Sequence, residues 1–273
     1  MDIVRYEDLK GHIWLDNKFI SADKAKIHVL THSLHFASAV FEGIRVYNKK
    51  PFKITEHLER FKKSSELLDY KISHSIDELK EVCSKIIKLQ ALVDGYLRPV
   101  AWRGSESMAP GIMNASIHIA IAGWRWPIYY SDKAKEKGIT LDLARWKRPS
   151  NEFAPTQSKC SGLYMICTMS KHEAERKGFD DALMKDYRNY VAETTSSNIF
   201  FIFGSLIVTP IADCFLNGIT RQEIIKLCKK FNLPIKEKHI TLDEAYNADS
   251  CFITGTAAEV TPVRKILDKD FDI

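Results

Sequence analysis

Short apolar runs joined by tight-turn residues are the feature that most restricts the fold of this chain. "HIWLDNKFI" (12–20) places Asp16-Asn17 between two such runs, and "NIFFIFGSLIVTP" (198–210) places Gly204-Ser205 between two more. Asn, Asp and Gly readily adopt the backbone conformations of two-residue hairpin turns, so both segments predict antiparallel β-hairpins. "IRVYNKKPFKI" (44–54) predicts a third. Together with the helices predicted below, these hairpins indicate mixed α/β domains rather than a regular βαβ series.

Amphipathic helices are predicted between these hairpins, over 55–70, 75–89 and 163–177. Another is predicted after the last hairpin, over 220–232, with a short helix after Thr241. We expect Thr55 to be the N-cap of the first helix. Ser75 with Glu78, and Thr220 with Glu223, match the capping-box pattern at the start of two others. Gly178 is expected to end the helix that begins near residue 163.

Alternation of side chains predicts several further strands. In "YLRPVAWRG" (96–104), residues Tyr96, Arg98, Val100 and Trp102 are expected to face one way, and Pro99 indicates an edge or irregular strand because it has no N–H to donate. Strands are also predicted in "SIHIAIAGW" (116–124), "ITLDLARWKR" (139–148), "DALMKD" (181–186) and, as the last of the chain, "SCFITG" (250–255).

The segment "WRWPIYYSDKAKEKG" (124–138) interrupts the alternation with a proline, aromatic residues and then charges. We therefore predict an N-terminal α/β domain over 1–124, an interdomain loop over 125–138 and a C-terminal α/β domain over 139–273. The length of 273 residues is enough for two ordinary domains. No strand is followed by G-x-G-x-x-G, which argues against dinucleotide binding.

Composition narrows the class of protein. The chain is 45% hydrophobic and 27% charged, with a formal net charge of +5, values typical of a soluble globular protein. The basic residues are dispersed, whereas nucleic-acid binding usually requires a concentrated basic surface. The six cysteines form no C-x-x-C pair, no apolar run is long enough to cross a membrane, and no signal peptide is visible. We expect a cytoplasmic protein with reduced thiols.

Lys159 stands in "PTQSKCSGLYMIC" (155–167), a stretch without an acidic residue. A lysine amine in a desolvated or electropositive setting has a lowered pKa and can react with a carbonyl to form a Schiff base. Taken alone, a lysine in a loop is more often a surface residue, so the sequence leaves both interpretations open. Tyr164 would bring a phenol into the same neighbourhood.

Two glycine-containing stretches could bind an anion. "NGITRQE" (217–223) places Gly218, Ile219 and Thr220 at the start of a helix, where backbone amides and the helix dipole favour negative charge. "TGTAAE" (254–259) ends a strand with small residues whose amides could form a nest, with the Thr256 hydroxyl beside them. An ordinary cap and an ordinary turn are the alternatives. Arg60 is a further candidate for binding an anion, and the alternative interpretation is an ordinary surface arginine.

Glu193 in "YVAETTSSNIF" (190–200) is an isolated acid that could hold a proton on a pyridine-like nitrogen, or could be a polar turn residue. His32 and His35 lie three residues apart, but no carboxylate or cysteine completes a metal site, so we interpret them as structural. No Ser-His-Asp arrangement and no G-x-S-x-G are present.

Six motifs in order resemble a known family: "HSLHFASAVFEGIRVY", "YLRPVAWRG", "KCSGLY", "YVAETTSSNIF", "NGITR" and "TGTAAEVTPV". They are similar to the motifs of the fold-type IV, or class IV, pyridoxal-phosphate-dependent aminotransferases, and within them to the branched-chain amino acid aminotransferases. The resemblance implies an α/β, two-domain fold of the D-amino acid aminotransferase type. It implies an active site at the domain interface and a C-terminal domain that is a pseudo-barrel.

The resemblance also implies roles for individual residues. Lys159 would be the catalytic Schiff-base lysine, Glu193 the partner of the pyridine nitrogen, and Tyr164 the partner of the phenolic oxygen of pyridoxal 5'-phosphate. Arg60, Ile219, Thr220 and Thr256 would hold the phosphate. The implied cofactor-binding set is Arg60, Lys159, Tyr164, Glu193, Leu216, Gly218, Ile219, Thr220, Gly255 and Thr256.

For the substrate, the resemblance implies that Tyr96 and Arg98 organise the α-carboxylate with the amides of Ala257 and Ala258. Arg98 is also the candidate for the γ-carboxylate of glutamate. The implied substrate-binding set is Phe36, Phe41, Tyr96, Arg98, Trp126, Tyr129, Ala257 and Ala258. The implied reaction is reversible, ping-pong transamination of leucine, isoleucine or valine with 2-oxoglutarate, which gives branched-chain 2-oxo acids and L-glutamate, in a homodimer or higher homo-oligomer.

The sequence departs from the family pattern at several points. "HFAS" replaces the usual "HYGT", "TTSS" replaces a glycine-rich stretch after Glu193, and Cys160-Ser161 follow the lysine in place of small apolar residues. We also expect the C-terminal part of the second domain to be shortened. The alternatives are a D-amino acid aminotransferase, an aminodeoxychorismate lyase, a catalytically inactive homologue and, outside this fold, a nucleic-acid binder.

Overall fold

The computed structural model describes residues 5–126, 130 and 132–273 and divides into two compact units. The first comprises Met1–Pro127 with Ser158–Gly162, and the second comprises Ile128–Gln157 with Leu163–Ile273. Both units combine helices with a β-sheet, so the predicted mixed α/β class is confirmed. The predicted domain limits of 1–124 and 139–273 stay predictions. Part of the predicted interdomain loop lies outside the described residues, and part of it is helical.

The first unit contains seven strands and three α-helices among its described residues. They are β1 (His12–Leu15), β2 (Lys18–Ser21), α1 (His32–Phe36), β3 (Val40–Phe41), β4 (Ile44–Tyr47), β5 (Lys50–Pro51), α2 (Ile54–Glu66), α3 (Ile76–Leu89), β6 (Gly95–Arg103) and β7 (Ile117–Trp124). The antiparallel sheet has the order β2-β1-β7-β6-β4-β5, and β3 also pairs with β6. Its two predicted hairpins are confirmed, because left-handed residues join β1 to β2 and β4 to β5.

Strand β6 lies inside this sheet, so the edge position predicted from Pro99 is wrong, whereas the alternative, an irregular position, is confirmed. β6 pairs with β7 from Tyr96 to Arg103 and, on its other side, with β3 and β4. Pro99 falls opposite the gap between β3 and β4, where Glu42 N–H donates to the Pro99 carbonyl (2.8 Å). The reciprocal bond cannot form because proline has no N–H, and the sheet tolerates the residue at this gap.

Helices α2 and α3 bury the apolar sides predicted for them, although one predicted cap is wrong. Ser75 and Glu78 form the predicted capping box of α3. Helix α2 begins at Ile54, one residue before the predicted N-cap Thr55, and Lys53 precedes it in a left-handed conformation with φ of 52°. Leu58 and Phe61 of α2 are fully buried, as Leu79 and Ile86 of α3 are. Burial of such side chains contributes about 1.5–3 kcal/mol each.

The second unit contains nine strands and four α-helices among its described residues. They are α4 (Asp132–Lys137), β8 (Ile139–Leu143), α5 (Met165–Arg176), β9 (Asp181–Lys185), β10 (Val191–Thr194), β11 (Asn198–Phe203), β12 (Leu206–Thr209), α6 (Ile219–Lys230), β13 (Ile235–Glu237), α7 (Leu242–Tyr246), β14 (Ser250–Gly255), β15 (Glu259–Ile266) and β16 (Lys269–Asp270). The sheet order is β10-β9-β8-β15-β14-β11-β12-β13, with β16 on β15.

Several predictions for this unit are confirmed and others are corrected. The β11–β12 hairpin turns at Gly204, and Gly178, with φ of 86°, follows α5 as expected. SCFITG is not the last strand, because β15 and β16 follow it. Helix α6 has Gly218 as its N-cap with no side-chain cap, so the Thr220 capping box is wrong. Thr241 and Glu244 instead cap the short helix α7.

The core of the second unit lies on its mixed sheet. Fully buried residues include Ile139 and Leu141 of β8, Ile199 of β11, Ile253 of β14 and Val263 of β15. All six cysteines of the chain are buried and free of disulfides. Within the described ranges, no helix combines the length and apolar character needed to span a membrane.

Candidate active site

The Lys159 segment is held by backbone hydrogen bonds in the first unit. The Phe41 N–H donates to the Lys159 carbonyl (3.1 Å), Ser161 N–H donates to Ala39, and Cys160 forms an antiparallel bridge with Val40. The Lys159 N–H donates to the Ser64 hydroxyl on α2 (2.9 Å). Residues 158–162 therefore lie like a short edge strand beside β3, which fixes the direction in which the lysine side chain leaves the backbone.

The amine of Lys159 lies in an electropositive, half-buried setting. Its Nζ is 4.9 Å from the centroid of the Phe41 ring. Burial, which disfavours the charged form, and the Arg60 guanidinium lower the pKa of Lys159 to about 8, while Glu42 acts in the opposite direction. A larger fraction of the amine is unprotonated near neutral pH than in an ordinary lysine, which favours attack on a carbonyl.

Arg60 does not have the solvated head group of an ordinary surface arginine. Its Nε and Nη2 donate to the two oxygens of Glu42 at 2.6 and 2.9 Å. Glu42 is fully buried, and His57 Nδ1 lies 2.7 Å from its Oε2. Burial opposes ionisation, but the Arg60 and His57 side chains hold the pKa of the Glu42 carboxyl well below its usual range. Glu42 was not among the residues predicted from the sequence.

Predicted substrate residues of the first unit form a continuous set of ring and cation contacts. The Arg98 guanidinium carbon lies 4.9 Å from the Phe41 centroid and 5.4 Å from the Tyr96 centroid. Arg98 Nη2 donates to the Tyr96 hydroxyl (3.4 Å), and the Tyr96 ring stacks on Trp126 at 4.2 Å. Phe41 thus contacts both Lys159 and Arg98.

Gly43 is required by this arrangement. A Cβ at residue 43 would lie 1.6 Å from the Tyr96 hydroxyl oxygen, a separation that no side chain tolerates. The glycine therefore lets the Tyr96 hydroxyl lie against the backbone of residue 43, and a larger residue would displace it.

The first unit also contains an apolar cavity of about 580 Å³ beside the sheet. Arg98, Val100 and Trp102 line it, which confirms that these three side chains face one way. Among the described residues that line it, Arg98 is the charged one. Trp126 and Arg98 line a neighbouring cavity of about 290 Å³. Phe36 ends α1 and packs on His32 with ring centroids 4.6 Å apart, whereas Tyr129 lies outside the described residues.

In the second unit, the Glu193 carboxylate lies in strand β10 and not in a turn. Arg148 Nε forms an ion pair with Glu193 Oε1 at 3.3 Å, and Asn198 Nδ2 donates to Glu193 Oε2 at 3.4 Å. Arg148 is buried, and its Nη1 donates to the Leu163 carbonyl and the Cys167 sulfur. Neither Arg148 nor Asn198 carried a sequence signal that distinguishes it from a surface residue.

Asn198 also organises the start of helix α6. Its Nδ2 donates to the Leu216 carbonyl (3.1 Å), and its Oδ1 accepts from Gly218 N–H (3.1 Å). A Cβ at residue 218 would lie 2.1 Å from that oxygen, so only glycine fits. Ile219 and Thr220 occupy the first turn of α6, where N–H groups have no partner within the helix and favour an anion.

The remaining predicted cofactor residues lie at other points of this unit. Gly255 ends β14, and a Cβ there would lie 2.9 Å from Ser197 Oγ. Thr256, Ala257 and Ala258 form the turn between β14 and β15, and the Ala258 carbonyl accepts from the Thr261 hydroxyl (2.7 Å). Tyr164 precedes α5 and packs against the buried cluster that contains Cys167 and Met184.

The two histidines of the sequence analysis have structural contacts. His32 is buried, with its Nε2 3.1 Å from the Ala109 carbonyl, and His35 Nε2 lies 2.9 Å from the Val29 carbonyl. The group Asp186, Asp213 and Cys214 has ligand-like atoms close together. The Arg188 guanidinium already pairs with both carboxylates, at 2.7 and 2.9 Å, so this group is best described as an ion-pair network.

Comparisons with known proteins identify the family. Residues 39–266 match the model of amino-transferase class IV. The chain is 42% identical to a probable branched-chain-amino-acid aminotransferase of Rickettsia felis, over 97% of this chain and 90% of the relative. A crystal structure of the Escherichia coli branched-chain amino acid aminotransferase superposes with a TM-score of 0.93 at 33% identity, covering 96% of this chain and 88% of that one.

This chain belongs to the class IV aminotransferases. Another branched-chain amino acid aminotransferase, from T.th., has been solved with pyridoxamine 5'-phosphate and with N-(5'-phosphopyridoxyl)-L-glutamate, and the two structures superpose with TM-scores of 0.92 and 0.91. Both are 34% identical, and each match covers 96% of this chain and 88% of the other. The resemblance stated from the motifs is therefore confirmed at the level of the family.

The side chains and backbone groups of this class IV aminotransferase fit a phosphorylated pyridoxyl cofactor. The first unit offers an amine with a lowered pKa and two guanidinium groups, and the second offers a buried carboxylate and a helix start. Among the described residues, Arg98 Nε and Thr254 Oγ1 are buried without a hydrogen-bond partner. Such atoms are costly unless a ligand or water satisfies them.

Proposed function

We propose that this protein is a pyridoxal 5'-phosphate-dependent aminotransferase that exchanges the amino group between branched-chain L-amino acids and 2-oxoglutarate. The observation that carries the proposal is Lys159, whose half-buried amine has a pKa lowered to about 8 in a chain of this family. The names of the relatives support the substrate class, and the T.th. complex with a phosphopyridoxyl-glutamate adduct supports both the cofactor and glutamate.

The proposal assigns a role to each cofactor residue. When bound, the cofactor supplies an aldehyde and an electron-accepting ring that stabilises charge at the substrate α-carbon. Lys159 would hold that aldehyde covalently and, once displaced, carry the α-proton to and from the substrate carbon. Glu193 would hold the proton on the ring nitrogen, and Tyr164 would donate to the phenolic oxygen.

The phosphate and the substrate carboxylates would be bound by cations and backbone amides. Arg60, Ile219, Thr220 and Thr256 would take the phosphate, since a helix start and a guanidinium both favour an anion. Leu216, Gly218 and Gly255 would shape the backbone around the cofactor. Tyr96 and Arg98, with the amides of Ala257 and Ala258, would take the α-carboxylate.

The apolar cavity lined by Val100 and Trp102 would accept a branched aliphatic side chain, and Phe36, Phe41, Trp126 and Tyr129 would complete the apolar surroundings. Arg98, also on the cavity wall, would meet the γ-carboxylate of glutamate. One pocket then serves both substrates in turn. Because the amino group is stored on the enzyme between the half-reactions, the kinetics are expected to be ping-pong.

We further propose that the protein is a homodimer or a higher homo-oligomer. Support comes from an exposed apolar segment of the first unit, in which the large side chains are 40–68% exposed: Ile27, Val29, Leu30, Leu34 and Phe36. A second copy of the chain is the expected cover for such a surface. Sedimentation analysis at micromolar concentration should give at least twice the mass of 31.3 kDa, and a monomer would contradict this part of the proposal.

The central test is the Lys159→Ala variant. Removal of the amine eliminates the covalent link and the proton carrier, so turnover of L-leucine with 2-oxoglutarate should fall by about 10³-fold or more. Lys85→Ala, which removes an exposed lysine of α3, is the matched control and should retain wild-type turnover. Substantial turnover by Lys159→Ala would overturn the mechanism.

Substrate profiling separates this proposal from related activities of the fold. The wild type should turn over L-leucine, L-isoleucine and L-valine and leave their D-enantiomers unchanged. Preferential turnover of D-amino acids would indicate a D-amino acid aminotransferase, and elimination without an amino acceptor would indicate a lyase. Cofactor binding without any turnover would indicate an inactive homologue.

A further inference from the structure

A buried carboxylate lies in the middle of the first unit's sheet, at the gap between β3 and β4. Val40 and Phe41 on one side of the gap, and Ile44 on the other, pair with β6 in one continuous register. Glu42 N–H donates to the Pro99 carbonyl inside this gap. The backbone of Glu42 is therefore held on both sides, and its side chain is fully buried.

The Glu42 carboxylate joins the sheet to helix α2 through two cationic or polar residues. Arg60 donates two hydrogen bonds, one to each oxygen, in the fork geometry that guanidinium and carboxylate favour. His57, three residues earlier on the same face of α2, lies 2.7 Å from Oε2. Gly43 N–H adds a contact to that oxygen at 3.1 Å. Both carboxylate oxygens are engaged by short contacts.

Such a cluster is an inefficient way to stabilise a fold. Removing a carboxylate and a guanidinium from water is costly, and apolar residues of similar volume often give equal or greater stability. Its value for function is orientation, because two parallel hydrogen bonds fix the plane of the Arg60 guanidinium. Without these two hydrogen bonds, the arginine side chain would have several freely rotating bonds, and fixing them on binding an anion would cost conformational entropy.

Helix α2 connects this cluster to Lys159. Ser64 lies one turn after Arg60, its hydroxyl accepts from the Lys159 N–H (2.9 Å), and its carbonyl accepts from the Ser158 hydroxyl (2.9 Å). The same helix thus carries the arginine and the anchor of the lysine backbone. The amine of Lys159 also responds electrostatically to both Arg60 and Glu42, which supports their proximity.

We propose that Glu42, with His57, is a positioning residue that orients the Arg60 guanidinium to bind the phosphate of the cofactor. The inference rests on the proposed function, since it requires that the cofactor carries a phosphate and that Arg60 binds it. Glu42 itself touches neither cofactor nor substrate. Its contribution is to remove the orientational freedom of Arg60 before the ligand arrives.

The test compares two ligands that differ only in the phosphate. Full-length protein freed of cofactor is titrated with pyridoxal 5'-phosphate and with pyridoxal, and the ratio of the two dissociation constants measures the contribution of the phosphate. In Glu42→Gln only one oxygen remains to accept from Arg60, and the charge and the paired geometry are lost, so this ratio should fall by about 10-fold or more. Loss of the Glu42 charge also acts on the Lys159 amine, but that effect is common to both aldehydes and cancels in the ratio.

Further variants define the specificity of the effect. Glu56→Gln removes a half-exposed carboxylate of α2 that pairs with Lys53, and it should keep the wild-type ratio. Arg60→Gln should lower the ratio at least as much as Glu42→Gln, and the double variant should lower it no further, because both changes act through one guanidinium. If Glu42→Gln fails to fold, Glu42→Asp keeps the charge, shortens the reach and should lower the ratio as well.

The outcomes separate the inference from the function on which it rests. A wild type that prefers pyridoxal 5'-phosphate, with a Glu42→Gln variant that loses equal affinity for both ligands, would overturn the positioning role and leave the proposed function intact. Additive losses in the double variant would overturn it too. A wild type that prefers neither ligand would overturn both.

Discussion

Two buried glutamates, one in each unit, face an arginine in different ways. Glu42 of the first unit accepts two hydrogen bonds from Arg60 at 2.6 and 2.9 Å and contacts His57 at 2.7 Å. Glu193 of the second unit meets Arg148 at 3.3 Å and Asn198 at 3.4 Å. The first set of contacts has the lengths of strong charge-assisted hydrogen bonds, and the second set is longer.

This difference indicates different tasks for two similar ion pairs. A carboxylate engaged by short contacts on both oxygens serves the protein's own structure, and Glu42 holds a helix and an arginine in place. Glu193 lies in strand β10 and pairs with the buried Arg148 of its own unit. We expect Glu193 to be the partner of the protonated ring nitrogen and Glu42 to act only through Arg60.

The largest expected effect is on stability, at Glu42. Glu42→Ala leaves Arg60 without its carboxylate, and breaking a buried pair in this way typically costs about 3–5 kcal/mol of unfolding free energy. Chemical denaturation followed by circular dichroism measures this loss. A change below about 1 kcal/mol would mean that the short contacts of Glu42 have little structural value.

The next effect is on turnover, at Glu193. Glu193→Gln keeps the shape but removes the charge that would hold a proton on the cofactor ring, and kcat should fall by about 10²-fold, the range for loss of one preorganised charged contact. The melting temperature should change less than in Glu42→Ala. A variant with normal kcat and a large loss of stability would reverse the comparison between the two glutamates.

A smaller effect is expected at Gly43, which separates the Glu42 cluster from Tyr96. Gly43→Ala forces the Tyr96 hydroxyl away from Arg98, so KM for the amino acid should rise by about 10-fold, the value of roughly one hydrogen bond to a charged group. Gly111→Ala is the matched control, since a Cβ there meets no atom within 4 Å. Equal kinetics of the two variants would show that the Tyr96–Arg98 contact is dispensable.

The smallest effect is a dependence on pH. Because the pKa of Lys159 is lowered to about 8, the rate at which the cofactor-free protein reacts with pyridoxal should rise with pH and level off above that value. The unfolded chain binds the additional proton between about pH 8 and 10.5, so stability should increase with pH across this window. A reaction midpoint near the pKa of an ordinary lysine would contradict the electropositive setting.

Local patterns predicted much of the fold, and tertiary contacts explain the failures. The hairpins at Asp16-Asn17 and Gly204 depend on turn residues that are visible in sequence. The capping-box pattern was correct at Ser75 and wrong at Thr220, because the Asn198 side chain binds the Gly218 N–H and the helix begins one residue earlier. Strand β10 was missed since Glu193 and its hydroxyl neighbours resemble a turn.

The candidate site shows the same division between what local sequence predicts and what depends on tertiary contacts. Lys159, Arg60 and Glu193 were predicted because the family resemblance implies their roles. Glu42 and Asn198 lie inside motifs that carry the resemblance but, like Arg148, were not predicted, since the pairing of buried polar side chains is not visible in the local sequence. The lowered pKa of Lys159 likewise arises from burial and then from Arg60, about a hundred positions earlier, neither of which local sequence reveals.

The absorption spectrum of the purified protein with pyridoxal 5'-phosphate, recorded before and after addition of L-leucine, tests both the Schiff base at Lys159 and the branched-chain substrate. We expect a visible band that requires Lys159 and that L-leucine converts to the shorter-wavelength band of the pyridoxamine form. A band that forms but does not respond to L-leucine would contradict the branched-chain assignment. The absence of any band in the wild type would contradict the role of Lys159 itself.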